Sequence, residues 1–433
     1  MFRLPSSEGM VGMDELLQFA VEKRASDIHV EPYKHAYRVR LRVDGALFTL
    51  PESIPAADAQ RLIIRLKNLA GMDISEKRRP QDGSFPWIID NGGDMQEKQP
   101  HRVDVRISSM PTIDGEKLVL RLLYATNGRL SLEELGMDRS TVQVFRNLLE
   151  FPYGMILVTG PTGSGKSTTL YTALQLLNDP RINIVALEDP IEYSIQGITQ
   201  VEINSRSGIT FATGLRSLLR QDPNIIMIGE IRDAETAEIA IRAALTGHRV
   251  FSTLHTSDSI QAIVRLIDMG IEPYLVASAL RGVIAQRLVR KRCPHGCMHD
   301  IPANIQPTSD HPATDAPHHQ TGSYDPKFIS VDGSMESLTC KTCNGTGYAG
   351  RTGAFEILPL HASLKRLISQ NGSEDELRLL ARKQGMEMLD NILLRYVKEG
   401  ITDSHEMARW FSGTGQTSDI SMATADTTPN SVI

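Results

Sequence analysis

The sequence has no apolar run of about 18 residues, so nothing in it is long enough to cross a bilayer as a helix. Its first residues, MFRLPSSEGM, lack the apolar centre of a secretory signal peptide. Together these absences predict a cytoplasmic protein that meets a membrane only through partners. Aromatic residues are scarce at 5%, and the formal net charge is -6. With few stacking surfaces and no basic excess, nucleic acid is not an expected partner. Cysteine is scarce too. The four cysteines stand in two pairs, Cys293/Cys297 and Cys340/Cys343, and in a reducing compartment such pairs favour a metal over disulfides. What is present is ordinary for a globular chain: 41% hydrophobic residues, 23% charged residues, and 433 residues, enough for more than one domain.

Along the chain the patterning changes character. Residues 13–24 show helical periodicity. Residues 37–47 alternate as a strand entering an Asp44-Gly45 turn, and residues 57–70 are helical again. Residues 102–107 and 117–123 alternate as strands, separated by Pro111 and the Asp114-Gly115 turn. These segments predict a small α+β domain over residues 1–125, with the linker near 124–129. From Thr141 onward short apolar strands (155–159, 182–187, 224–228 and 250–254) alternate with helices. This pattern predicts a parallel, helix-covered sheet over 126–290. Residues 300–339 are rich in Pro, His, Asp, Ser and Gly and read as a mobile insertion. Residues 364–411 are helical, and 412–433 read as a disordered tail.

The sharpest signal is GPTGSGKS at Gly160–Ser167, directly after an apolar strand and before a helix. This is the P-loop pattern in its required context, and it predicts binding of nucleotide phosphates. Gly160, Pro161, Thr162, Gly163, Ser164, Gly165, Lys166, Ser167 and Thr168 form the expected cradle. Lys166 is placed to reach the β- and γ-phosphates of ATP, and Ser167 to hold Mg²⁺. Downstream, IIMIGEIRD puts Glu230 at a strand end, where a carboxylate orients or deprotonates an attacking water. LEDPIEY places Glu188, Asp189 and Glu192 at another strand end, where they can hold Mg²⁺ through water or polarise the nucleophile, and Glu188 is counted among the expected catalytic residues. In TGHRVFSTLHT, His255 can hydrogen-bond the γ-phosphate, while His248 reads equally well as a turn residue.

As a set, these segments resemble the secretion ATPases that power type II secretion and type IV pilus assembly. Residues 160–168, 187–193, 225–233 and 246–256 are similar to that family's Walker A, Asp box, Walker B and His box. ASDIHVEP, RVRLRVDGAL, RRPQDG and RVDVRISSMPTIDGEKLVLRLL resemble its second N-terminal domain, and GYAGRTGAFEIL its C-terminal segment. The resemblance implies an α/β fold. A RecA-like P-loop domain with a parallel sheet would follow a small α+β, PAS-like N-terminal domain and precede a zinc-knuckle and helical C-terminal region. It also implies a homohexameric ATPase. Arg106 and Arg121 match the family's upstream arginines, which reach the phosphates across a cleft; Arg79 is a weaker match. Where the family often has an arginine after PQDG, this sequence has Ser84.

The cysteines resemble the zinc site of the assembly and secretion members, so Cys293, Cys297, Cys340 and Cys343 are the expected Zn²⁺ ligands over residues 291–350. The first pair is spaced by three residues where the family usually has two, and 42 residues separate Cys297 from Cys340. Four thiolates leave no open position, so the zinc is expected to be structural. The family-like text begins near Met13, and in this it resembles the retraction members, so the resemblance implies no recruitment domain ahead of it. The implied function is an ATP-driven motor acting through a polytopic inner-membrane platform protein and other machinery subunits. It would assemble a type IV pilus or a type II secretion pseudopilus, at the cytoplasmic side of the inner membrane. Pilus retraction is the alternative reading, and a nucleic-acid motor or a nucleotide-gated scaffold is the alternative from another class.

Overall fold

The structure is a computed structural model that describes residues 12–89, 101–124, 130–297, 340, 342–343 and 345–411. The expected linker beyond Tyr124, the 300–339 insertion and the tail after Phe411 lie outside the described residues. Contacts divide the chain into two compact units, one of residues 292–349 and one of 2–291 with 350–433.

The larger unit begins with α1 (Met13–Glu22), followed by β1 (Ala25–Tyr33), β2 (Ala36–Val43), β3 (Ala46–Pro55), α2 (Ala56–Leu69), β4 (Gln81–Ile89), β5 (His101–Thr112) and β6 (Gly115–Tyr124). The six strands form one sheet in the order β3-β2-β1-β6-β5-β4. Their alternation sets the faces. On β2, Tyr37, Val39 and Leu41 are buried while Arg38, Arg40 and Arg42 are not. Ile28, Val30, Leu118, Leu120, Val103 and Val105 join this apolar side, and α1 and α2 close it with Leu16, Leu17, Leu62 and Leu66. Asp44 and Gly45 both take positive φ (48° and 81°), the geometry of a tight hairpin turn.

Two details differ from the sequence expectation. Pro111 lies within β5 instead of breaking it, because β4 stops pairing at Ser109 and leaves that end of β5 open on one side. Pro86 lies inside β4, which the sequence reading omitted. As the edge strand of this sheet, β4 can spare that hydrogen bond.

After α3 (Arg139–Leu149), the second sheet is built from β7 (Gly154–Thr159), β8 (Ile184–Glu188), β9 (Thr199–Glu202), β10 (Ile225–Ile228), β11 (Arg249–Leu254), β12 (Leu280–Arg292) and β13 (Tyr348–Pro359). Its order is β13-β12-β7-β11-β10-β8-β9, and β12, β7, β11, β10, β8 and β9 pair in parallel. Alternate residues feed opposite cores. Met155, Leu157, Ile226 and Ile228 pack with α5 (Phe211–Leu218), α6 (Ala234–Leu245) and α7 (Ser259–Asp268). Ile156, Val158, Ile225 and Met227 pack with α3 and α4 (Lys166–Leu177). Burial on both faces explains why these strands read as continuous apolar runs. After α8 (Pro273–Ala279) and beyond β13 come α9 (Ala362–Ser369), α10 (Glu374–Lys383), α11 (Leu389–Lys398) and α12 (Ser404–Phe411). The architecture is the expected α/β fold with a small α+β domain ahead of a parallel-sheet domain. No helix among the described residues is long and apolar enough to cross a membrane.

Candidate active site

β7 is buried throughout and delivers the chain to Gly160 at the carboxyl edge of the parallel sheet, where such sheets bind ligands. Gly163 and Gly165 have φ of 77° and 87°. Gly165 caps α4 in the left-handed conformation, so the loop requires glycine there. Ser164 is buried, and its Oγ has no partner among the described residues. A buried hydroxyl in that state is one a ligand can satisfy. Lys166 Nζ donates to the carbonyls of Gly160 (2.8 Å) and Pro161 (3.1 Å), so in this state the loop itself holds it. Burial pulls the Lys166 ammonium down to about 8; Arg287 pushes the same way and Glu230 opposes. Ser167 is exposed in the first turn of α4, where its hydroxyl is open to a cation. Glycine conformations, an orphan hydroxyl, a desolvated lysine and an open serine fit a nucleotide phosphate chain with its Mg²⁺.

The loops after β10 and β11 meet. His255 Nε2 lies 3.1 Å from Glu230 Oε2, bringing together the two residues expected beside the γ-phosphate. Arg232 also pairs with Glu230 and lies 3.8 Å from Asp189, so it ties the loops after β8 and β10. Behind them Thr159 Oγ1 and Thr256 Oγ1 are 2.7 Å apart, fixing the His255 loop to the end of β7. His255, Thr256 and Pro161 line one cavity of about 520 Å³ together with Arg287. His248 sits at the other end of β11, its Nδ1 3.1 Å from the Ala243 carbonyl, as a turn residue.

Glu188 is only 4% exposed. Tyr171 donates its hydroxyl to one carboxylate oxygen, and Gln200 Nε2 donates to the other at 2.8 Å. Burial raises its pKa, while these two hydrogen bonds pull it down. With both oxygens occupied, Glu188 braces the loop that follows it. Tyr171, Gln200, Arg232 and Gln286 are residues that sequence reasoning missed. Tyr171, Gln200 and Gln286 act through partners from distant segments, which no local motif marks, whereas Arg232 lies inside IIMIGEIRD and only its approach to Asp189 is long-range.

From the small domain, Arg106 donates to the Ile191 carbonyl and lies 4.0 Å from Glu192, so it reaches the Asp-box loop. Arg121 sits opposite Arg106 in the β5–β6 register but pairs with Asp27 at 3.1 Å. Ser84 is the Arg106 partner on β4, which places it beside the position where the resemblance expects a further arginine. Arg79 is exposed.

In the smaller unit the Sγ atoms of Cys293, Cys297, Cys340 and Cys343 all lie within 4.8 Å of one another, with Cys293 and Cys340 3.7 Å apart. Four thiolates at Zn–S bonds of about 2.3 Å span tetrahedron edges of about 3.8 Å, so the donor set fits zinc. Main-chain amides of Cys343 and Thr342 draw the Cys340 thiol down to about 6, while contact with Cys340 pushes the Cys297 thiol up to about 12 and burial raises that of Cys293.

Comparison with known proteins places this geometry. A family model described as "Type II/IV secretion system protein" matches residues 8–409. The type II secretion system protein HxcR of Pseudomonas aeruginosa is 43% identical over 92% of this chain and 76% of its own length. The type IV pilus assembly ATPase PilB of Myxococcus xanthus is 44% identical over 90% of this chain and 66% of its own. The type II secretion system ATPase E of Vibrio cholerae is 43% identical over 92% of this chain and 74% of its own. In fold, the chain resembles the Legionella pneumophila ATPase DotB (TM-score 0.67, 21% identity, 95% of this chain and 99% of that one). It also resembles the ADP-bound pilus retraction motor PilT (TM-score 0.58, 25% identity, 92% of this chain and 97% of that one). With its P-loop, its paired Glu230 and His255 and its four-cysteine cluster, the chain belongs to the type II/IV secretion system protein family.

Proposed function

We propose that this chain is an ATP-hydrolysing motor for assembly of a type IV pilus or a type II secretion pseudopilus. The observation that carries the reading is the convergence of Glu230 and His255, 3.1 Å apart, beside a P-loop whose lysine and Ser164 hydroxyl suit phosphate. Lys166 exchanges the Gly160 and Pro161 carbonyls for phosphate oxygens. Ser167 is the residue that would hold Mg²⁺, an ion that supplies charge neutralisation between the β- and γ-phosphates. Glu230 orients the attacking water and accepts its proton, and His255 hydrogen-bonds the γ-phosphate side. Arg106 and Arg121 add positive charge from the small domain, with Arg106 already on the Asp-box loop.

The assembly or secretion role is supported by relatives of that name above 40% identity. A structural zinc on the four cysteines agrees with this reading. Action as a homohexamer, through an inner-membrane platform protein and with other machinery subunits, belongs to the same proposal. Isothermal titration with ADP tests its base. Wild type binds, and Lys166→Ala weakens binding by about 100-fold or more, the loss of a charge-assisted phosphate contact. Unchanged affinity in the variant would contradict the phosphate site.

A further inference from the structure

The turn after His255 is gripped from behind. Ser257, Asp258 and Ser259 lead into α7, and each is held by a different side chain from later in the sequence. Arg287 on β12 donates to the Ser257 carbonyl at 2.5 Å. Arg378 on α10 donates to Asp258 Oδ2 at 3.0 Å. Glu356 on β13 accepts from the Ser259 amide at 2.9 Å and from its hydroxyl at 2.5 Å. The other oxygen of Glu356 accepts from the Leu389 amide at 3.0 Å, at the start of α11. Glu356 is 1% exposed, so its carboxylate meets these donors with almost no solvent. On the other side of the turn, Thr256 is bonded to Thr159 at the head of the P-loop.

We propose that Glu356, with Arg378 and Arg287, is a positioning residue for His255. The C-terminal strand and helices thereby set the placement of the imidazole that reads the γ-phosphate. This rests on the nucleotide reading of the P-loop. The physical reason is local. Three consecutive residues, two held at the backbone and Asp258 at its carboxylate, leave the segment two residues from His255 without freedom to drift. A side chain displaced by about 1 Å loses much of its hydrogen-bonding value. The proposal makes the C-terminal region part of nucleotide discrimination, although Glu356, Arg378 and Arg287 need not touch the phosphates.

The test is a double-mutant cycle read by nucleotide binding. Affinities for ATPγS and ADP are measured by titration on the full chain for wild type, Glu356→Gln, His255→Ala and the double variant. Glu356→Gln is expected to weaken ATPγS about tenfold and ADP less than about twofold. In the His255→Ala background it is expected to change neither by more than about twofold, since the residue it positions is gone. An equal loss for both nucleotides, the same loss without His255, or no loss at all overturns the inference. Where Glu356→Gln shows no cooperative melting transition, Arg378→Ala takes its place in the same cycle. That side chain is partly exposed, and its removal leaves the Glu356 hydrogen bonds to Ser259 and Leu389 in place. Failure of wild type to bind either nucleotide overturns the functional reading and this inference with it, whereas normal wild-type discrimination with an unaltered variant overturns only the inference.

Discussion

Lys166 carries the most chemistry per residue in this molecule. Its ammonium is drawn to about 8 by burial, well below an ordinary lysine, because the loop that holds it offers carbonyls and no countercharge at contact distance. Phosphate supplies that countercharge. A bound nucleotide therefore raises the lysine's proton affinity, and binding above pH 8 must take up a proton. Affinity is expected to be constant below about pH 7.5 and to fall by up to about tenfold per pH unit above 8. ADP titrations between pH 7 and 9.5 check this, and a flat profile would show that the ammonium is not desolvated as described. At this scale, residues whose position is carried by a local pattern were legible. Lys166, Ser167, Glu230 and His255 each sit at a strand or helix end that the sequence marks. Their partners were not legible. Tyr171 and Gln200 reach Glu188 across 17 and 12 residues of sequence, and Glu356 reaches Ser259 across 97.

Among the elements, burial decided what could be read in advance. β7, β10 and β11 are covered on both faces, so their sequences are uninterrupted apolar runs bounded by turns. β12 carries Arg281, Arg287, Arg290 and Arg292 along one strand, because Arg290 pairs with Glu406 and Arg281 stacks near Tyr153. Its apolar alternation is broken by tertiary partners, and it was not anticipated. The same holds for β13, where Gly353 packs against Leu135. β9 is a short edge strand with no buried residue. The cysteine segment leaves the chain between β12 and β13, and its two pairs were legible because ligand spacing is a local property. Cys340→Ser is expected to lower zinc from about one per chain to near zero and to lower the melting temperature, since structural zinc contributes folding energy outright. Elemental analysis with a thermal melt measures both. Equal metal content in the variant would remove the four-thiolate site.

For the molecule as a whole, the small domain and the P-loop domain share one compact unit, joined by Arg106 on the Asp-box loop and by Asp44, which accepts from the Gly350 amide at 2.9 Å. These contacts join residues 85 and 306 positions apart in the sequence, which no local pattern marks. In the proposed motor, nucleotide changes the grip of the small domain on the phosphate loops, and assembly into a ring turns that change into work. The measurement that tests this most directly is ATP turnover against protein concentration for wild type and Glu230→Gln, with mass by light scattering on the same samples. The account predicts turnover that rises with assembly in wild type and falls by about 100-fold or more in the variant, while the variant still binds ATP. Wild-type turnover rates in Glu230→Gln would contradict the account at its centre.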